Sequence, residues 1–234
     1  HKAIRRQRQM CIRDRYNTMR ESCLFNTHAW EKIKERITSG QLPVVIQKDT
    51  PVSFPILPNI TLREVMLKDA ATIYHAINTH RDYMRIWLPF VDNLKSVADE
   101  EMFLKSILSA PAEKYEPIFT IRNGQDEVCG LIGFHFSDFD NHRTEIGYWL
   151  LPEYQHQGIM TTCVHKLCQW AVDEKGIKRI QIRCAINNIA SNQIPLRLGF
   201  HHEGTERAGE LLSSGEYTDV HVYSILAEEI RASF

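Results

Sequence analysis

The sequence has no apolar run approaching the roughly 20 residues that cross a bilayer, so no membrane partner is expected. It lacks both the G-x-x-x-x-G-K-[ST] loop of triphosphate-binding proteins and the G-x-G-x-x-G dinucleotide fingerprint, which makes nucleoside triphosphates and NAD poor candidates. Six cysteines are present (Cys11, Cys23, Cys129, Cys163, Cys168 and Cys184), with no C-x-x-C pair and no zinc-ligand spacing. They are expected to be reduced thiols of a cytoplasmic protein. His135, His142, His156, His201 and His202 show no metal spacing either, so no metal is expected. Internal repeats and low-complexity tracts are absent.

What is present suits one α/β domain, since 234 residues with 43% hydrophobic and 24% charged content can bury a single core. The formal net charge of −1 conceals an asymmetry. Seven Lys and Arg (Lys2, Arg5, Arg6, Arg8, Arg13, Arg15, Arg20) fall in the first twenty residues against Asp14 alone, leaving the remainder with 21 basic and 28 acidic residues, net −7. The stretch Met10 to Arg15, MCIRDR, resembles translated sequencing-adapter read-through. Residues 1–18 are therefore expected to be a non-native extension, with Met19 as the start. The acidic remainder argues against nucleic-acid binding and suits a cationic acceptor.

Phe25, Trp30, Ile33 and Ile37 predict an amphipathic helix over 21–40, and Pro51, Pro55 and Pro58 predict an extended linker, so that 19–58 forms an N-terminal appendage and the main domain spans 59–229. Ile60 to Val65 is the first expected strand. Helical segments are predicted at 68–88 and 97–109, with Pro89 and Pro111 as breakers. A meander of three strands follows at 118–122, 128–137 and 144–151. Ile159, Cys163, Leu167, Trp170 and Ala171 then recur at helical spacing up to Gly176. A strand at 180–186, a short helix at 189–198 and strands at 203–211 and 218–225 complete the pattern.

The most informative segment lies between a strand and that amphipathic helix: Gln155-His156-Gln157-Gly158-Ile159-Met160-Thr161. A helix N-terminus carries unpaired N–H groups and a partial positive charge, so it can hold a phosphate without a basic side chain, and Gly158 allows close approach. Taken alone, the segment could equally be an ordinary strand-to-helix turn.

With its neighbours, the segment resembles the GNAT superfamily of N-acetyltransferases, and especially its RimL/RimJ-like branch, which acetylates protein N-termini. The family's pyrophosphate motif is Q/R-x-x-G-x-G/A. Residues 155–160 match it except at Met160, and Gly158-Ile159-Met160-Thr161 is similar to the branch's G-I-M-T, with His156 and Gln157 in place of the usual Gly and Lys. Thr144 to Leu150 resembles the family's fourth strand, Asn188-Ile189-Ala190-Ser191 with Leu198-Gly199-Phe200 its N-x-x-S and L-G-F signature, and Trp87-Leu88-Pro89-Phe90 its W-L-P-W/F segment. The resemblance covers about 60–225. It implies a mixed α/β (α+β) fold, a mostly antiparallel sheet of about seven strands with about four helices, splayed between strands 4 and 5.

Acetyl transfer to an amine needs a neutral amine, a stabilised oxyanion and a proton for the departing thiolate. The resemblance assigns Glu145 as general base, the alternative being a solvated strand carboxylate. It assigns the Trp149 N–H to the oxyanion, Leu151 to the pantetheine arm, and the segment 155–161 to the pyrophosphate of acetyl-CoA. The family's frequent acidic Tyr is replaced by Pro195, which leaves Ser191 as proton donor, with Asn188 on the pantetheine; both could instead only cap a helix. Trp87 and Phe90 either line the acceptor side or pack in the core. The expected acceptor is a primary amine, first a protein N-terminal α-amine such as that of a ribosomal protein. Alternatives are polyamine or antibiotic acetylation, or a non-catalytic acyl-CoA-binding regulatory module. A homodimer is left open.

Overall fold

The computed structural model describes residues 50–233, so the expected 21–40 helix and the 1–18 extension lie outside the described residues. The frame is an eight-stranded sheet in the order β1-β2-β3-β4-β5-β6-β8-β7. Its strands are β1 (Ser53–Leu57), β2 (Ile60–Glu64), β3 (Ile118–Arg122), β4 (Val128–Asp138), β5 (Arg143–Leu150), β6 (Arg179–Ala185), β7 (His201–Leu211) and β8 (Tyr217–Leu226). Every neighbouring pair is antiparallel except β5 with β6.

β1 corrects the expected linker and raises the strand count from seven to eight. Pro55 cannot donate to a ladder, but among the described residues β1 is an edge strand bonded only to β2, where that loss is tolerated. Phe54 fixes the strand in place, its ring 5.8 Å from Phe119 and 6.0 Å from Trp170. The family's fourth strand is therefore β5 in this chain.

Six α-helices accompany the sheet: α1 (Ala70–Thr79), α2 (Arg81–Met84), α3 (Val97–Leu108), α4 (Ile159–Lys175), α5 (Ile189–Arg197) and α6 (Ala227–Ser233). The single helix expected over 68–88 is broken at His80, whose backbone leaves the helical region at φ −115°, ψ 25°. Both Thr79 Oγ1 and His80 Nδ1 turn back on carbonyls four residues earlier, at 2.8 and 3.2 Å, in competition with the helix's own ladder. α3 begins as its sequence predicts, with the Ser96 side chain accepting from Asp99 N–H.

Strand alternation sorts the core into two layers. Ile60, Leu62, Phe119, Ile132 and Ile146 face α4, which buries Ile159, Met160, Cys163, Val164, Leu167, Cys168, Ala171 and Val172 along one stripe. Each of the larger side chains stabilises by about 1.5–3 kcal/mol when fully buried. On the opposite face Ile118, Leu131, Trp149 and Leu151 pack with Ile73, Ile77, Phe103 and Leu104 of α1 and α3. Cys129, Cys163, Cys168 and Cys184 are free and buried, as small apolar side chains.

Candidate active site

β5 and β6 are paired over three rungs only, the last being Glu145 with Gln181. Beyond that rung the pairing stops, and the starts of α4 and α5 line the opening with β5. The opening is a cavity of about 460 Å³. Its walls are Tyr148, Trp149 and Leu150 of β5, residues 154–156 and 158–161 of the loop and first turn of α4, Asn188 to Ser191 at the start of α5, and Tyr83, Met84, Trp87 and Leu88 from the α2 segment. Arg197 of α5 adds a guanidinium to the wall.

The loop leading into α4 opens with a 3-10 turn, Pro152–Tyr154, and contains two left-handed residues, His156 (φ 59°) and Gly158 (φ 75°). Glycine reaches that region without strain. The first intrahelical bond of α4 runs from Thr162 N–H to Gly158 O at 3.0 Å. The N–H groups of Ile159, Met160 and Thr161 precede it and have no carbonyl one turn back to bond. Together with the partial positive charge of a 17-residue helix they form an anion cradle facing the cavity.

Two residues expected at the phosphate do something else. Gln155 Nε2 donates to Tyr83 Oη at 2.7 Å and to Leu150 O at 3.1 Å, and Gln157 Nε2 donates to Glu153 O at 2.9 Å. These amides fasten the loop to β5, to α2 and to itself. His156 lines the cavity, whereas Gln157 and Leu151 are not on its wall.

The ladder register moves the free backbone donors by one residue. Leu151 N–H donates to Cys129 O at 2.9 Å, and the pairing Leu131 with Trp149 and Gly133 with Gly147 continues the same register. Bonded and non-bonded pairs alternate along an antiparallel ladder, so the N–H groups of Gly147, Trp149 and Leu151 are directed to β4. Those of Tyr148 and Leu150 point to the opening, as the bond from Gln155 to Leu150 O corroborates. The Trp149 and Leu151 N–H groups, expected at the acetyl carbonyl and the pantetheine arm, thus face β4, and those of Tyr148 and Leu150 are the ones that face the opening. Trp149 still contributes its indole to the wall.

Glu145 stands at the root of the opening rather than on the cavity wall. It is only 7% exposed, and its Oε2 accepts from Gln181 Nε2 at 2.9 Å. Its other oxygen lies 3.7 Å from His135 Nε2 across the β4–β5 ladder. A bulge in β4 adjoins this pair, with Phe136 at φ 52°, the kind of kink that re-aims side chains next to functional groups. Burial pushes the Glu145 carboxyl up to about 7, opposed by the Arg183 guanidinium and the Gln181 hydrogen bond. Burial first, then Arg183, depresses His135 to about 3. The two groups are thus a neutral imidazole beside a carboxyl that titrates near neutrality, not an ion pair. Arg183 is itself bonded to Glu206 of β7.

At the start of α5, the Asn188 side chain accepts from Ser191 N–H at 3.2 Å, the capping arrangement, while both residues also line the cavity. Ser191 Oγ lies 3.3 Å from Tyr148 Oη and 3.1 Å from Cys184 Sγ. Trp87 is on the wall, but Phe90 is buried against α1 and α3 and belongs to the core. Tyr83, Tyr148, Leu150 and Arg197 were absent from the sequence-based site. Strand alternation was the signal available for Tyr148, and it is equally the signal of a core residue. Among the described residues no group of three or more His, Cys, Asp or Glu is placed to hold a metal.

A sheet opened at its parallel junction, with a helix N-terminus at the mouth, defines a GNAT-type acetyltransferase domain. The family profile described as "Acetyltransferase (GNAT) domain" matches residues 59–201, and the chain belongs to that family. It is 32% identical over 73% of its length to 93% of the candidate ribosomal N-acetyltransferase YdaF of Bacillus subtilis (strain 168). It is 28% identical over 71% of its length to 92% of the ribosomal-protein-serine acetyltransferase of Escherichia coli (strain K12). Among solved structures, the microcin C7 self-immunity acetyltransferase MccE in complex with acetyl-CoA and AMP superposes with a TM-score of 0.69 at 27% identity, covering 79% of this chain and 99% of that one. RimL, the ribosomal L7/L12 α-N-protein acetyltransferase in complex with coenzyme A, shares the fold with a TM-score of 0.71 at 23% identity, over 75% of this chain and 98% of that one.

Proposed function

We propose that this enzyme transfers the acetyl group of acetyl-CoA to a primary amine, with a protein N-terminal α-amine as the preferred acceptor. One observation carries the reading: a cavity of about 460 Å³ runs from the unpaired N–H groups of α4 to the gap between β5 and β6. Its two ends match the two ends of the cosubstrate, an anionic pyrophosphate and an uncharged thioester arm. The cradle of Ile159, Met160 and Thr161 N–H groups binds the first, with Gly158 admitting the oxygens. The Leu150 and Tyr148 N–H groups hydrogen-bond the arm and the acetyl carbonyl. When bound, acetyl-CoA supplies the activated acyl group.

Glu145 removes the acceptor's proton, directly or through one water. Its carboxyl, near 7, lies close to the ordinary range of an α-amino group, about 7.7–8.0, so the transfer is nearly balanced at neutral pH. A lysine amine, near 10.4, is a poorer match. That difference favours an N-terminal acceptor, in line with relatives named for acetylating ribosomal proteins. The departing thiolate also needs a proton, and the hydroxyls of Ser191 and Tyr148 line the cavity.

The test is calorimetric titration with acetyl-CoA, followed by thiol release over peptides with free N-termini, polyamines and aminoglycosides. Micromolar binding with fastest turnover on peptides is expected. Turnover on polyamines or aminoglycosides alone would overturn the acceptor class, and binding without turnover on any amine would overturn the enzymatic reading.

A further inference from the structure

The proton donor to the departing thiolate is the open position in this site, because proline stands at 195 and a phenol cannot reach from there. The cavity contains a hydroxyl pair in its place. Tyr148 lies on β5 with its ring on the α4 side of the sheet, and its hydroxyl meets the first turn of α5. Tyr148 Oη donates to Ser191 O at 3.1 Å and accepts from Ser191 Oγ at 3.3 Å, and Ser191 Oγ is in turn 3.1 Å from Cys184 Sγ. Two independent features place this residue beside the opening. Its own backbone N–H faces the opening, by ladder parity, and its hydroxyl is fixed by the residue that opens the opposite wall.

The geometry points to Tyr148 as the acid that protonates the leaving sulfur, with Ser191 as the residue that positions it; the assignment rests on the acetyl-transfer reading above. As the C–S bond of the tetrahedral intermediate formed by amine attack breaks, its electron pair goes to sulfur. The S–H bond forms as the Tyr148 O–H, turned from Ser191 O, breaks. Ser191 Oγ–H then donates a hydrogen bond to the phenolate, whose proton is restored through water by the second proton that the acceptor nitrogen sheds as it becomes an amide, the first having gone to Glu145. A phenol suits this step better than the Ser191 hydroxyl, because the ordinary phenol value of about 10 lies within two units of a thiol's 8.5. Burial raises Tyr148 well above its ordinary value. The phenol therefore stays protonated across the working pH range.

Three measurements test this, on the full chain with CoA, acetyl-CoA and a free-amine serine hexapeptide. Tyr148→Phe should lower kcat by about 100-fold, within the range for a lost general acid, while acetyl-CoA affinity stays within twofold. Placing a fluorinated tyrosine of lower phenol pKa at 148 should retain activity and move the alkaline limb of the kcat profile to lower pH. The 19F resonance of that residue should shift on adding CoA and shift clearly less on adding desulfo-CoA, which lacks the thiol. A kcat within threefold of wild type in Tyr148→Phe, an unmoved alkaline limb, or equal 19F shifts with the two ligands would each overturn the assignment while leaving acetyl transfer intact. Absence of wild-type turnover on every amine would overturn both.

Discussion

Glu145→Gln should make the protein more stable and less active in the same pH window. The folded carboxyl titrates near 7 because it is buried, whereas in the unfolded chain it titrates near 4.5. Below pH 4 the carboxyl is protonated in both states and its burial costs little. As pH rises from 4.5 to 7 the unfolded chain ionises freely and the folded one does not, so stability is lost, reaching a limit above pH 7. A difference of about 2.5 units corresponds to about 3 kcal/mol at that limit. Glutamine has no such penalty, and its amide oxygen can still accept from Gln181 Nε2. The Tm of Glu145→Gln should therefore exceed that of wild type by roughly 5–10 °C at pH 8 and by almost nothing at pH 4. Activity should move the other way. A lost general base costs about 10²–10⁴-fold, and the loss should be largest between pH 7 and 8, where Glu145 is ionised and an α-amine is still largely protonated. At pH 5.5 wild type has lost its base as well, so the two rates should converge. Differential scanning fluorimetry across pH 4–9 and initial-rate profiles on one peptide measure both. Equal Tm values at pH 8 would refute the buried-carboxylate argument, and an acid limb that stays near 7 in the variant would refute the role as base.

Three further outcomes follow from other positions. Gly158→Val places a branched side chain on a residue at φ 75°, where nothing lies within 4 Å to clash with a Cβ, so the fold should lose only about 1–2 kcal/mol from backbone strain. The side chain occupies the anion cradle, so acetyl-CoA affinity should fall at least tenfold by calorimetry, and wild-type affinity would refute the placement. Glu100 is 3% exposed and burial alone raises it to about 8, so Glu100→Gln should leave the Tm at pH 4 unchanged and raise it progressively toward pH 8.5; a pH-independent gain would contradict this. Asp69→Ala takes the carboxylate at 2.8 Å from buried Arg122 and leaves it only the exposed Asp126 at 3.3 Å, which should cost about 3 kcal/mol, the low end for a broken buried pair, in chemical denaturation without altering cosubstrate affinity in the folded protein.

How much of this was legible in the sequence varied with the range of the interaction that decides each feature. The loop from Gln155 to Thr161, the stripe on α4 and the cap at Asn188 depend on near neighbours, and each stands where the local pattern places it. β1 was read as linker because Pro55 argues against a strand, and only the sheet order shows that the strand is an edge. The break at His80 comes from side chains competing for carbonyls within one turn, against an apolar periodicity that runs on. Phe90 was indistinguishable from a wall residue because Trp87 and Phe90 belong to the same four-residue resemblance, and tertiary packing alone separates them. The outward-facing N–H groups on β5 were displaced by one residue for a related reason. Sequence identifies the strand, but which alternate N–H groups face outward is settled by the bond between Leu151 and Cys129 on a neighbouring strand.

That one-residue displacement alters the account of how the site works. If Trp149 supplied the oxyanion N–H, the residue on the other face of the strand would be irrelevant to the chemistry. With Tyr148 in that role, one residue presents its backbone N–H to the opening and its hydroxyl to the cavity wall, next to Ser191. The same separation of β5 from β6 that frees this N–H begins at the rung where Glu145 is held by Gln181. Continued pairing along β5 would consume the free donors and leave no gap for an acceptor to reach the carboxyl. Burial at that rung is also what raises Glu145 toward 7, so the opened junction and the tuned base have one structural cause. A substitution that lengthened the β5–β6 ladder should therefore reduce acetyl-CoA affinity and turnover together, whereas Glu145→Gln should reduce turnover alone.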